Sequence, residues 1–156
     1  MKICLLCIGN KMPDWVVAGT NEYRRRLQAD VKLSLLEIPL AKRTKGVTIN
    51  TCLAQEGAAM MASLSREDYV VSMEVHGKRF DTPALAERIN YFKSDGRSIK
   101  FLIGGPDGLA VDCQSRANES WSLSNLTLPH PIARILLLEQ LYRGFSILKG
   151  HPYHRV

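Results

Sequence analysis

The chain ends on Gly150-His151-Pro152-Tyr153-His154-Arg155-Val156, which places two imidazoles, a phenol and a guanidinium close together. An imidazole titrates near neutrality and can take a proton from a substrate. A phenol ring can stack on a base or hydrogen-bond it, and a guanidinium pairs with phosphate or a developing oxyanion. Three of the four histidines, His130, His151 and His154, lie in this C-terminal part of the chain. Chain ends are usually frayed and polar. Here Gly150 is placed to cap a helix and Pro152 restricts the backbone before Tyr153, so the tail leaves at a defined point. A metal site fits less well: His151-x-x-His154 offers two ligands with no acidic or Cys partner near in sequence.

A second stretch with chemical character is Gly104-Gly105-Pro106-Asp107-Gly108. It is neither the dinucleotide pattern G-x-G-x-x-G nor a phosphate loop, which needs Lys-Ser or Lys-Thr after its last glycine. Its glycines would let a ligand or another backbone approach closely. A plain strand-to-helix turn would use them equally well. Cys4-x-x-Cys7 has zinc-like spacing, yet residues three apart on a strand face opposite ways, and no second pair follows. With Cys52 and Cys113, these read as buried free thiols. Lys and Arg number 21 against 15 acids, a net charge of +6, which favours polyanions such as nucleic acid. Arg24 to Arg26 read as a solvated helix face. The stretch from Lys42 through Arg43 to Lys45 reads as a mobile basic loop, open to either phosphate contact or no role.

The elements that must position these residues can be read from periodicity. At 156 residues and 46% hydrophobic, the chain is the size of one domain, 1–156, with no repeats or low-complexity tract. The apolar run Ile135 to Leu138 is far too short to span a bilayer. The N-terminal stretch reads as a strand of a cytoplasmic protein rather than a signal peptide. Strands are expected at Lys2 to Ile8, Val31 to Ile38, Tyr69 to Val75, Ile99 to Ile103 and, in LSNLTL, Leu123 to Leu128. Helices are expected over Asp14 to Leu27, around Ile49 to Leu64, after Pro83 up to Asp95-Gly96, briefly after Leu109, and from about Pro131 to Lys149. Alternating strands and helices predict an α/β fold, a parallel sheet flanked by helices. Ligands of such sheets bind beyond the carboxyl ends of the strands, which points to GGPDG and SNLTLPHP. The last helix is apolar around nearly its whole circumference. One side can pack on the sheet and the other on a second chain, a homodimer, or the helix is an internal one of a monomer.

The combination of IGGPDG, SWSLSNLTLPHPIARILLLEQLYRGFSI and a terminal HPYHR closely resembles the small bacterial methyltransferases that modify N3 of a pseudouridine in 23S ribosomal RNA. These belong to the SPOUT superfamily of trefoil-knotted, S-adenosylmethionine-dependent enzymes. GNKMPDW and IPLAKR resemble the same family, so the likeness covers the whole chain. It implies a trefoil knot and a cofactor site at about residues 100–156, with a bent cofactor held by three loops. Carried over residue by residue, these are Met73, then Gly104 and Gly105, then Leu123, Ser124, Asn125, Leu126, Thr127 and Leu128. Backbone groups of the last loop would bond adenine while its leucines enclose the ring. Periodicity alone makes Met73 a core strand residue.

The resemblance also gives the tail a role. Methyl transfer from a sulfonium is an in-line displacement, so the enzyme chiefly positions the nucleophile. That nucleophile would be an imide nitrogen whose proton needs an acceptor. His154 is the candidate base, Tyr153 would stack on or bond the target base, and Arg155 and Arg143 would pair phosphate or an oxyanion. His130 would lie beside the cofactor loop. The tail would act at a composite site between two subunits, on 23S rRNA within the assembled ribosome, without DNA or membrane partners. Three other readings fit parts of the sequence. They are a non-catalytic ribosome-binding factor, a methyltransferase of another RNA such as a tRNA ribose, and a nucleotide hydrolase built on GGPDG.

Overall fold

The computed structural model describes residues 1–154. Five parallel strands form one sheet: β1 (Lys2–Ile8), β2 (Lys32–Ile38), β3 (Tyr69–Arg79), β4 (Ile99–Ile103) and β5 (Glu119–Ser122), in spatial order β2-β1-β4-β3-β5. The helices are α1 (Asp14–Leu27), α2 (Ile49–Ala62), α3 (Thr82–Asp95), α4 (Val111–Arg116) and α5 (His130–Leu148). One face of the sheet packs on α1, α3 and α5 through Leu27, Ile89, Phe92, Leu137 and Leu141; the other packs on α2 and α4 through Met60 and Cys113. The expected α/β architecture is thus present, a parallel sheet between two helical layers. β1 is buried on both sides, as its unbroken apolar run requires. Cys4 and Cys7 fall in the two opposite core clusters, and all four cysteines are free and buried. No helix among the described residues is long and apolar enough to cross a membrane.

Local chemistry accounts for the element ends. Pro13 occupies the N-cap of α1, Asp14 sits in its first turn, and Arg24, Arg25 and Arg26 sit in its last, each sign complementing the helix dipole. Arg25 and Arg26 both pair with Glu22 on the exposed face. Asp81 caps α3 by accepting from Ala84 N at 2.8 Å, and Gly96 closes it at φ 79°. Gly150 ends α5 at φ 64°. Its N–H donates to Ile147 O at 3.0 Å and that of His151 to Ser146 O at 2.9 Å, a complete Schellman closure.

Two expectations need correction. The strand placed at Leu123 to Leu128 is a loop, and the fifth strand is the preceding ESWS segment. Trp121 is what makes it a strand: its buried indole stacks on Phe92, 5.7 Å between ring centroids, and meets Phe101 edge-on. The third strand also runs on past Val75 to Arg79, and it is interrupted. β3 pairs with β5 through Val71–Met73 and again through Lys78–Arg79, with the intervening residues looped out. Gly77 permits this, since a Cβ there would lie 2.5–2.7 Å from backbone atoms of Trp121.

Candidate active site

A cavity of about 360 Å3 opens at the carboxyl ends of β3, β4 and β5, where a doubly covered parallel sheet leaves room for ligands. Three segments wall it: β3 from the paired Met73 through its looped-out residues to His76, the glycine turn from Gly104 to Gly108, and the loop from Leu123 to Leu128. Met73, Gly104, Gly105, Leu123, Ser124, Leu126, Thr127 and Leu128 all line it, so sequence positions far apart converge on one space. Asn125 does not line it; its side chain is exposed. Leu126 lines the rim and is itself 74% exposed, so it covers the cavity from outside rather than filling a core.

The glycines shape the wall. A Cβ on Gly104 would lie 2.5 Å from the Gly108 carbonyl carbon, and one on Gly105 would lie 2.9 Å from Ile8 Cγ2. The turn closes with Gly108 N–H donating to Gly105 O at 3.1 Å, Gly108 adopting φ 83°. In the last loop Ser122 Oγ donates to Ser124 O at 2.8 Å, and Leu126 N–H donates to Ser124 Oγ at 2.9 Å. These contacts fix the loop without a strand ladder, which explains why its apolar alternation is not a strand.

Periodicity offered no reason to expect Glu74 and His76 at the cavity. Glu74 Oε1 accepts from the buried Ser72 Oγ at 2.7 Å and from Ser120 Oγ at 3.4 Å. A carboxylate so held presents a fixed acceptor to the space. The one available signal was Gly77, whose presence inside a strand pattern marks a bulge.

His130, at the start of α5, also lines the cavity. Its Nδ1 is buried without a hydrogen-bond partner among the described residues. Burial, aided by the nearby Arg134 cation, holds its pKa below the usual histidine value, so the ring is neutral at neutral pH. Arg134 is 1% exposed; it donates to Glu37 Oε2 at 3.0 Å and to Gly9 O at 3.2 Å. It thereby ties α5 to the turn after β1, against which the His130 ring rests.

The other candidate catalytic residues lie elsewhere in the subunit. Tyr153 and His154 do not line the cavity of their own chain. Tyr153 packs edge-on against Tyr142, 4.7 Å between ring centroids, and its hydroxyl donates to Glu139 Oε1 at 3.1 Å. Arg143 pairs with the same Glu139 and lies over the Tyr153 ring at 5.1 Å, and Arg26 of α1 lies 5.8 Å from the centroid of the same ring. Burial and then neighbouring oxygens push the Tyr153 phenol up, so it stays protonated. His154 Nδ1 is buried without a hydrogen-bond partner among the described residues. Arg155 lies outside the described residues. His130 and Arg143 both sit on α5 but about 20 Å apart along its axis at ~1.5 Å per residue. The structure therefore brings the cofactor-loop candidates together and sets the tail cluster apart from them.

The basic stretch after β2 divides in the same way. Lys42, Arg43 and Lys45 are all exposed, but among the described residues only Arg43 of the three makes ion pairs, its guanidinium engaging Glu56 and Asp107. No cluster of three or more metal-ligating side chains occurs among the described residues.

Comparison with known proteins agrees with this geometry. The chain is 48% identical over 155 residues to the ribosomal RNA large subunit methyltransferase H of Hahella chejuensis (strain KCTC 2396), covering 99% of each chain. A family model described as "Predicted SPOUT methyltransferase" matches residues 1–154. The chain, with its glycine turn, β3 loop and leucine loop meeting at one cavity, belongs to the SPOUT methyltransferase family.

Proposed function

We propose that this protein is an S-adenosylmethionine-dependent methyltransferase that methylates N3 of a pseudouridine in 23S rRNA, acting in the cytoplasm as a homodimer on the assembled ribosome. The observation that carries the reading is the convergence of the three loops on one cavity, in a chain nearly half identical to a large-subunit rRNA methyltransferase. We also read the C-terminal third, about 100–156, as the family's trefoil knot.

The residues present fit the cofactor. Gly104 and Gly105 leave a cradle that side chains would fill, Met73, Leu123 and Leu128 supply apolar wall, and His130 offers an unsatisfied buried nitrogen. Backbone groups of Ser124, Thr127 and Leu128 can bond an adenine edge, and Glu74 can accept from hydroxyl or ammonium groups. When bound, S-adenosylmethionine supplies an electrophilic methyl group on a sulfonium. The protein's part is to hold the target nitrogen in line with it and to accept that nitrogen's proton.

Within one subunit His130 at the cavity and the Arg143–Tyr153–His154 cluster are too far apart to act on the same atom. A second copy that brings its tail to this cavity resolves the separation. Exposed apolar side chains on α1 and α5, Trp15, Val17, Ile132 and Leu148, support such an interface. In this arrangement His154 takes the imide proton and Tyr153 holds the base, its hydroxyl oriented by Glu139. Arg143 and Arg155 pair phosphate or the developing oxyanion. The net positive charge supports binding to a ribosomal surface.

The test compares the full chain with one truncated after Gly150, reading methyl transfer to ribosomes and cofactor affinity by calorimetry. Loss of transfer with cofactor affinity retained is the expected result. Equal transfer by both proteins would remove Tyr153, His154 and Arg155 from the site. Transfer that survives loss of the pseudouridine would assign another nucleotide.

A further inference from the structure

Arg43 crosses from the segment after β2 to the glycine turn after β4. Its Nη1 donates to Glu56 Oε1 at 2.6 Å and to Ala41 O at 2.8 Å. Its Nε and Nη2 both donate to Asp107 Oδ2, at 3.0 and 2.8 Å. Glu56, on α2, is 3% exposed, and its Oε1 also accepts from Ala41 N–H at 3.0 Å. The guanidinium thus stands on a rigid buried base and reaches outward to one carboxylate. That carboxylate belongs to the turn that walls the cavity.

The turn has few other restraints. Its internal bond runs from Gly108 to Gly105, and among the described residues the side-chain hydrogen bonds to Gly104–Gly108 all come from Arg43. The segment bearing Arg43 also backs the turn sterically, with Leu40 Cδ1 at 3.3 Å from where a Gly105 Cβ would be. A planar fork that engages two carboxylates from fixed positions is a task for arginine, and lysine cannot reproduce it.

We infer that Arg43 is a positioning residue for the cofactor cavity: it holds Asp107, and through it the Gly105–Gly108 turn, in the shape that binds the cofactor. The inference rests on the reading of that cavity as the S-adenosylmethionine site. It assigns the Arg43 guanidinium, paired with two carboxylates, to the turn rather than to RNA, and leaves Lys42 and Lys45 as the basic residues of this stretch open to RNA. Arg43 acts through Asp107 and touches no reacting atom.

The test uses Arg43→Lys, Asp107→Asn and the double variant in the full-length protein. Arg43→Lys keeps a cation beside buried Glu56, and Asp107→Asn leaves the Arg43–Glu56 pair intact, so both retain the fold by thermal melting. Each single variant should raise the KM and the calorimetric Kd for S-adenosylmethionine about tenfold, with kcat and the KM for ribosomes within about twofold. The double variant should be no worse than either single one, because both changes remove one interaction. Without any cofactor, amide exchange at Gly108 should quicken about tenfold in Arg43→Lys, reporting the loosened turn directly. Unchanged cofactor affinity in Arg43→Lys, additive losses in the double variant, or a loss confined to the KM for ribosomes would overturn the inference. Failure of the wild-type protein to bind S-adenosylmethionine would instead sink the functional reading, and Gly108 exchange would still show whether Arg43 holds the turn.

Discussion

At Gly104 the packing of the cavity wall leaves no room for a Cβ, and Gly104→Ala measures how far the cavity depends on it. The added methyl would lie 2.5 Å from the Gly108 carbonyl carbon, 2.6 Å from its oxygen and 2.9 Å from Leu109 N. All three are backbone atoms, so no rotamer change can relieve the clash. Reaching ordinary contact at 3.4 Å requires the two segments to part by about 0.9 Å, that is 3.4 minus 2.5. Overpacking of this kind costs ~1–3 kcal/mol. At about 2–4 °C per kcal/mol for a domain of this size, the melting midpoint should fall by several degrees. The displaced segment is the cavity wall itself, and a misplacement near 1 Å costs on the order of 10²-fold where geometry governs the reaction. Thermal melting and calorimetric titration with S-adenosylmethionine should therefore both respond, the second more strongly. Gly19→Ala is the control: its methyl meets only the flexible end of Ile135, at 3.0 Å, away from the cavity. If Gly104→Ala bound cofactor within twofold of wild type and melted with Gly19→Ala, the tight turn would not be what shapes the cavity.

Two further outcomes follow from buried titratable groups. His130 is held below its ordinary pKa by burial and by Arg134, so the unfolded chain takes up its proton first as the pH falls below about 6.5. Its contribution to stability is present above that value and is lost on acidification through the depressed folded value. His130→Gln should accordingly flatten the stability–pH curve on acidification below about pH 6.5, measured by denaturant titration. An unchanged slope would contradict the assignment. Burial pushes the Cys7 thiol up to about 12, and the other three thiols are buried as well. A thiol-reactive dye should label none of the four in the native protein and all of them after unfolding. Rapid labelling of Cys4 or Cys7 in native protein would argue against a β1 buried on both faces.

The parts of this fold that were legible in sequence are those decided by local chemistry. Pro13, Pro83, Asp95-Gly96 and Gly150 mark helix ends because prolines and αL glycines act over a few residues. The runs at Lys2 to Ile8 and Ile99 to Ile103 are strands because both their faces are buried. LSNLTL misled because alternation records burial on one side, and here that side is a cavity wall rather than a sheet face. Trp121 outweighed it through Phe92 on α3 and Phe101 on β4, partners that no local window contains. Glu74 reached the cavity through a bulge whose sole local sign was Gly77. Arg43 read as part of a basic loop because Glu56 and Asp107, its two carboxylates, are distant in sequence. For the site, the resemblance to a known family indicated which loops would meet. The geometry adds that the tail cluster lies away from the cavity of its own subunit.

The most direct measurement is transfer of a labelled methyl group from S-adenosylmethionine to ribosomes, with the product nucleoside identified by mass spectrometry. Ribosomes from a strain lacking this protein should acquire label in 23S rRNA as N3-methylpseudouridine. Ribosomes lacking the pseudouridine and naked 23S rRNA should acquire little. Label in another nucleoside, equal labelling of naked rRNA, or cofactor binding without transfer to any ribosome would contradict the account.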